Sequence, residues 1–273
     1  MKRFRILIGA LFIVVALTSC EQVVDVDLPA NTVKLVVEGQ ITTEKDSSFV
    51  RLTKSLAFFD NTSSIPFVTN ATVDVNGIPF VHDTLGVYRP AKNYVGTIGQ
   101  VYNLKINHEG KEYTSSSLLE PMFQIDTIIP VFKEQESFLE EGYTVKYLGI
   151  DNRSPVKYTY VRFGFNNIPD SYGQDSLFDF RVLFDNRNSV LNAPFEFEIP
   201  FLRLEPGDTS LLIFRSVDDG VYRYLLALNN RSSGGGPFST PPANLPSNIR
   251  GGDVLGIFAA YDIKRFRTRI VKQ

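Results

Sequence analysis

Cys20 is the residue whose type and place specify a reaction. It closes Leu17-Thr18-Ser19-Cys20, at the end of an uncharged apolar run from Ile6 to Leu17, behind Lys2, Arg3 and Arg5. A cationic start and about a dozen apolar residues make a secretory signal, short of the roughly 20 needed to span a bilayer. Small residues leading into a cysteine at that point resemble a bacterial lipobox. In that motif the thiol sulfur is diacylated, the chain is cut before the cysteine, and the new amine is acylated. Cys20 is the only cysteine in the chain, so no intramolecular disulfide competes for it. Residues 1–19 are therefore expected to be a signal peptide and Cys20 the lipidation site. Each buried CH₂ contributes about 0.8 kcal/mol, and one acyl chain alone holds only marginally; three chains make a permanent anchor.

Other residues that could do chemistry are scattered. His82 and His108 sit beside expected hairpin turns, read as solvated strand ends; a histidine metal site needs more ligands close by. Asp170, Asp175 and Asp179, with Asn166 and Asn167, could gather oxygens for Ca²⁺, but their spacing is not that of an EF-hand loop and a solvated loop explains them. Glu196 and Glu198 share one strand face, as a glycosidase pair might, and as polar outer faces usually do. Arg265, Arg267 and Arg269 also share a face, suited to an anionic partner or to a charged edge strand that resists aggregation. No Gly-x-Ser-x-Gly elbow, phosphate loop or His-Glu-x-x-His helix occurs. The expectation is a non-enzyme without metal or cofactor.

Asp83-Thr84-Leu85, Asp126-Thr127-Ile128 and Asp175-Ser176-Leu177 have the Asp-Ser/Thr-apolar form of a periplasmic O-glycosylation site, which makes Thr84, Thr127 and Ser176 candidate acceptors. The stretch from Ser232 to Gly252 is rich in Gly, Pro and Ser. Pro237, Pro241, Pro242 and Pro246 stiffen it, and a long stiffened loop suits a shaped contact surface better than a spacer. Phe238, Asn248 and Arg250 are its candidate partner-contact residues.

The elements that must position these residues are strands. Phe occurs 22 times and Tyr 12 times, with no Trp, and aromatic and β-branched residues favour sheets. Residues 20–31 read as an acidic tether carrying Glu21, Asp25 and Asp27. Residues 32–120 hold short strands separated by turn signals, among them Asn76-Gly77 and Glu109-Gly110, which suit the positive φ angles of two-residue hairpins. They are expected to form an immunoglobulin-like β-sandwich. Pro121 to Pro130 reads as a joint. Residues 121–273 are expected to be a second β-sandwich of longer strands, with one short helix at 217–229, capped from Ser216. The formal charge of −2 becomes about −5 once the signal peptide is lost. That argues against a nucleic-acid partner, which calls for a basic footprint.

Cys20-Glu21, Val24-Asp25-Val26-Asp27-Leu28-Pro29, Lys34 to Gly39, Gly86-Val87-Tyr88 and Asp126-Thr127-Ile128 form an ordered series. It continues through Pro237-Phe238-Ser239, Pro241-Pro242, Ser247 to Gly252 and Gly256-Ile257-Phe258. In that order they resemble the Bacteroidota lipoprotein family known as domain of unknown function 4249 (DUF4249). The resemblance implies a cell-envelope lipoprotein, often encoded beside TonB-dependent transporters, and assigns no catalytic residue. The expectation is an outer-membrane lipoprotein, leaning to the surface face because of its acidic tether. Its role would be non-catalytic binding or accessory work with a TonB-dependent transporter in nutrient uptake. A structural or adhesive surface protein and an envelope hydrolase are the alternatives. Nothing in the chain indicates an oligomeric state.

Overall fold

The computed structural model describes residues 33–56, 64–154, 156–165, 180–199, 201–232 and 245–272. Cys20, the acidic tether, the candidate calcium donors between 166 and 179, Ser176 and Phe238 lie outside these residues.

The chain is mainly β. Strands β1 (Leu35–Thr42), β2 (Phe49–Lys54), β3 (Thr72–Val75), β4 (Ile78–Thr84), β5 (Val87–Arg89), β6 (Val101–His108) and β7 (Lys111–Leu118) come first. There follow β8 (Gln124–Lys133), β9 (Gly142–Asp151), β10 (Tyr158–Phe165), β11 (Phe180–Asp185), β12 (Ala193–Phe197) and β13 (Thr209–Val217). A helix, α1 (Asp219–Ser232), precedes β14 (Val254–Tyr261) and β15 (Ile263–Arg269).

Period-2 patterning makes the first sheet. Along β6 every second residue is buried, so Tyr102, Leu104, Ile106 and His108 face in while Asn103, Lys105 and Asn107 face out. The expected turns form as the residue types dictate. Asn76 and Gly77 take φ of 53° and 81°, and Glu109 and Gly110 take 49° and 72°. Leu85-Gly86 makes a third tight turn between β4 and β5 with φ of 47° and 71°. Leucine seldom adopts such an angle, so that turn carries no strong local signal.

Asn76 does more than turn the chain. Its side-chain oxygen accepts a hydrogen bond from the Asn103 main-chain NH at 2.8 Å, and its amide nitrogen donates to the Val101 carbonyl at 2.9 Å. Gly77 NH is held by Asp74 Oδ1 at 2.8 Å. Asn76→Val forces a β-branched residue into positive φ and removes the ties to β6. We expect it to cost about 2 kcal/mol in denaturant unfolding. An unchanged denaturation midpoint would show that the turn tolerates the change and that these bonds contribute nothing.

The strands of the first sheet run in the order β14-β1-β2-β5-β4-β3-β6-β7. The sheet is nearly barrel-shaped, in place of the two facing sheets of an immunoglobulin-like sandwich. The segment leading into β14 bridges to β7 at the other end of the sheet: Thr114 NH donates to the Arg250 carbonyl at 2.9 Å and Arg250 NH to the Thr114 carbonyl at 2.7 Å. Ala260 NH donates to Ser117 Oγ at 2.9 Å. Alternating hydrophobicity fixes which side of a strand is buried but not whether a sheet closes on itself, so pattern alone could not separate the two forms. Closure depends on β14, which arrives from far down the chain and lies parallel to β1, Leu35 opposite Val254 through Thr42 opposite Tyr261. Val37, Leu52, Leu104, Ile106 and Phe258 fill the interior.

The remaining strands form a four-stranded sheet, β11-β10-β13-β15, and a three-stranded one, β12-β9-β8, with a common aromatic core. Phe214 is fully buried, its ring 5.4–5.9 Å from those of Phe123, Tyr147, Phe197 and Phe266. The phenylalanine-rich alternation of β11 and β12 adds Phe184, Phe195 and Phe197 to this cluster. Most of the expected joint at Pro121 to Pro130 is strand β8, and Met122 and Phe123 before it are buried. Val33–Gln273 forms one compact unit.

Helix α1 begins two residues later than expected, capped by Asp218 instead of Ser216. Asp218 Oδ1 accepts from Val221 NH at 2.9 Å, satisfying a first-turn amide that has no partner within the helix. Its other oxygen accepts from Leu118 NH at 3.2 Å and from the Ser117 hydroxyl, which ties the cap to β7. Ser216 stays in β13, where its hydroxyl donates to the Glu120 carbonyl.

Candidate functional site: a polar cleft on the barrel seam

The first sheet closes through a segment that also builds a cleft. Ser247 Oγ donates to the Gly256 carbonyl at 2.7 Å. Asn248 Nδ2 donates to the Phe258 carbonyl at 2.6 Å, and its Oδ1 accepts from Phe258 NH at 3.0 Å. The asparagine side chain thus pairs with β14 as a neighbouring strand would. Ile249 is buried in the barrel core, and Arg250 makes the paired main-chain bonds to Thr114 described above. These bonds fix the segment 247–250 as a wall standing beside β7.

The opposite wall is the Asp74 to Gly77 turn. The floor is the outward face of β6 and β7, where alternation places Asn103, Lys105 and Ser116. The space between the walls is about 660 Å³, within the range of roughly 300–1,000 Å³ usual for small-molecule sites. Most of the residues that line it are polar: Asp74, Asn76, Asn103, Lys105, Thr114, Ser115, Ser116, Ser247, Asn248 and Arg250 contribute, with Leu104 and Gly77, and their carbon atoms leave a substantial apolar share of the surface.

The charges there are mixed in sign. Lys105 Nζ lies 2.7 Å from Glu112 Oε2, and that hydrogen bond, with a smaller contribution from Asp74, raises the ammonium above its ordinary value. Asp74 spends one oxygen on Gly77 NH. Ser115 Oγ is spent on the Asn248 carbonyl at 3.0 Å. Arg250 is exposed, and its guanidinium has no hydrogen bond or ion pair among the described residues. The arrangement holds donors and acceptors rigidly in place around open space. It has the features of a binding surface.

The structure thus brings two of the expected contact residues together and gives them different parts. Asn248 is committed to holding β14, whereas the Arg250 side chain faces the cleft. The residues that sequence reasoning missed, Asp74, Asn103, Lys105 and Ser116, read in isolation as ordinary solvated strand faces. The available signal was their common parity along paired strands, visible only once the β3–β6–β7 register was known.

The other candidates are not assembled into a site. Lys146 lies 2.6 Å from Glu196 Oε1, while Glu198 lies 3.1 Å from Lys133 and 3.7 Å from Lys146. Both carboxylates are matched by lysines on the sheet surface. Arg265 makes a two-bond contact with Glu44 at 2.7 and 2.9 Å, so it joins β15 to the β1–β2 turn. The strand that carries it with Arg267 and Arg269 is an edge strand of its sheet.

His108 corrects its expected place. It faces inward on β6, nearly fully buried, with Nε2 3.4 Å from Glu109 Oε1. The alternation that buries Ile106 also buries residue 108. His82 lies edge-on to Tyr88 at 5.3 Å. No group of three or more potential metal-ligating side chains occurs among the described residues. Thr84 and Thr127, the candidate acceptors within the described residues, are exposed.

Residues 21–267 match the protein family described as Domain of unknown function (DUF4249). No curated protein matches the chain. The stretch Ser247 to Gly252, one of those that carry the family resemblance, is the stretch that forms the cleft wall.

Proposed function

The chain belongs to the DUF4249 family, and from that premise we propose that it is an outer-membrane lipoprotein, held by acyl chains on Cys20, that works by binding. The observation that carries the binding role is the cleft: hydrogen-bonding groups fixed by main-chain bonds on a rigid sheet, and open to solvent. Loops and seams on β scaffolds serve as such surfaces because the sheet bears the cost of ordering them. The lipobox supports the anchor, and the acidic tether after Cys20 supports display on the outer surface. The resemblance supports a TonB-dependent transporter as the partner, with the lipoprotein an accessory in nutrient uptake. Thr84, Thr127 and Ser176 are acceptors for O-glycans in the same reading.

Two experiments test this. Cys20→Ala should abolish fatty-acid labelling and shift the protein from the membrane fraction to the soluble one, or leave it unprocessed. Retention of label and of outer-membrane fractionation would overturn the anchor. A tag on the lipidated protein should co-isolate a TonB-dependent transporter from the native membrane, and its absence would favour the adhesive or structural alternative.

A further inference from the structure

We propose that the cleft takes an uncharged, hydroxyl-rich ligand, a saccharide. This rests on the reading of the cleft as the binding surface and adds the chemistry of what it binds. The argument runs from the groups that face the open space. Arg250 offers a guanidinium with no partner among the described residues, and Lys105 an ammonium already shared with Glu112. Asp74 offers the carboxylate oxygen not used by Gly77. Asn103 offers an amide whose orientation is set by its bond to Asn76 Oδ1 at 3.2 Å. Ser116 adds a hydroxyl from the exposed face of β7.

Each simpler ligand class meets an obstacle. An apolar ligand would strip water from these groups and return no hydrogen bonds, which leaves them unsatisfied. A polyanion would gain from Arg250 but face Asp74, with Glu112 already holding Lys105. A polycation would meet Arg250 and Lys105. A saccharide carries hydroxyls on most of its ring carbons, and each of these both donates and accepts. It can satisfy a guanidinium, a carboxylate and an amide together without introducing charge. The cleft volume accommodates more than one sugar ring, and the cleft is open to solvent, which suits a chain that extends past the walls.

The test uses the full lipidated protein in detergent. Maltotetraose, cellotetraose, xylotetraose and mannotetraose are each titrated by calorimetry and saturation-transfer NMR, with citrate and spermidine as charged controls. We expect saturable binding of at least one tetraose. Arg250→Ala should weaken it about tenfold or more, since a hydrogen bond to a charged group is lost. The melting temperature should hold, because the main-chain bonds of residue 250 to Thr114 remain. Asp74→Asn, which keeps the acceptor for Gly77, should weaken it as well, and Lys264→Ala should not. Failure of all four tetraoses to bind overturns the proposal, as does binding that neither Arg250→Ala nor Asp74→Asn affects. Arg250-dependent binding of citrate in place of any tetraose overturns the ligand class while leaving the cleft as the binding surface.

Discussion

Gly256→Ala should produce one of the largest losses of stability available from a single methyl group in this chain. Gly256 lies in β14 opposite Val37 of β1, with φ of +104°. A Cβ at that position would stand 1.8 Å from the Val37 carbonyl oxygen and 2.8 Å from its carbon. No rotamer relieves a clash between two main chains, so the strands must separate. Separation frees Phe258, Ala259 and Ala260, all fully buried, and withdraws the bonds that Ser247 and Asn248 make to β14. Together with the unfavourable φ, the expected loss is on the order of 3–5 kcal/mol, or roughly 6–20 °C in melting temperature. Thermal unfolding followed by circular dichroism reads this directly. A melting temperature unchanged within error would mean that β14 does not lie against β1 as described.

The second large effect is expected at Asp262, between β14 and β15. Its side chain is buried, and its two oxygens serve different parts of the chain. Oδ1 accepts from Thr43 Oγ1 at 2.9 Å, beyond the end of β1, and Oδ2 from Met122 NH at 2.9 Å, before β8. The main chain of Asp262 also bonds to Ser216: the carbonyl accepts from Ser216 NH at 3.0 Å and the NH donates to Ser216 Oγ at 2.9 Å. Asp262→Ala leaves the buried Met122 amide and the half-buried Thr43 hydroxyl without acceptors. We expect about 3–4 kcal/mol of destabilisation, and less for Asp262→Asn, which keeps one acceptor. Urea denaturation should show one transition moving to lower urea, because Asp262 ties the barrel to the strands that follow it. A variant in which only part of the signal shifts, with a second transition left in place, would show that the halves unfold independently.

How much of this was legible in the sequence differs by element. The Asn76-Gly77 and Glu109-Gly110 turns were legible because those residue types tolerate positive φ, and the alternation of β6 and β12 because burial on one face imposes a period of two. The Leu85-Gly86 turn was not, since its first residue argues against it. The barrel was not legible because it needs β14 beside β1, a pairing of residues more than two hundred positions apart, and a parallel neighbour leaves no local mark on either strand. The helix was visible from its apolar face, but its cap was misplaced. Ser216 and Asp218 are both good capping residues, and only the demand of Ser117 and Leu118 for an acceptor selects Asp218. Of the cleft, the sequence pointed to Arg250 and Asn248 through the stiffness of their segment. It could not show that Asn248 would turn to β14, because that role is set by the strand it meets.

The most direct measurement of the central claim, that the cleft is the working surface of an anchored protein, compares two lysines. Lys105 on the cleft floor and Lys264 on β15 have side chains 52% and 51% exposed, so burial shields neither; the Glu112 ion pair slows acylation of Lys105 in the bare protein, whose Lys105 to Lys264 ratio is therefore the reference. Amine labelling with quantitative mass spectrometry is run on the purified lipidated protein and on the same protein in its native outer membranes. If the cleft is occupied where the protein works, labelling of Lys105 relative to Lys264 falls several-fold on the membranes. It recovers in Arg250→Ala, which weakens the occupant's hold and leaves the cleft floor unchanged. A Lys105 to Lys264 ratio that is the same in both settings, or a fall confined to Lys264, would contradict the account.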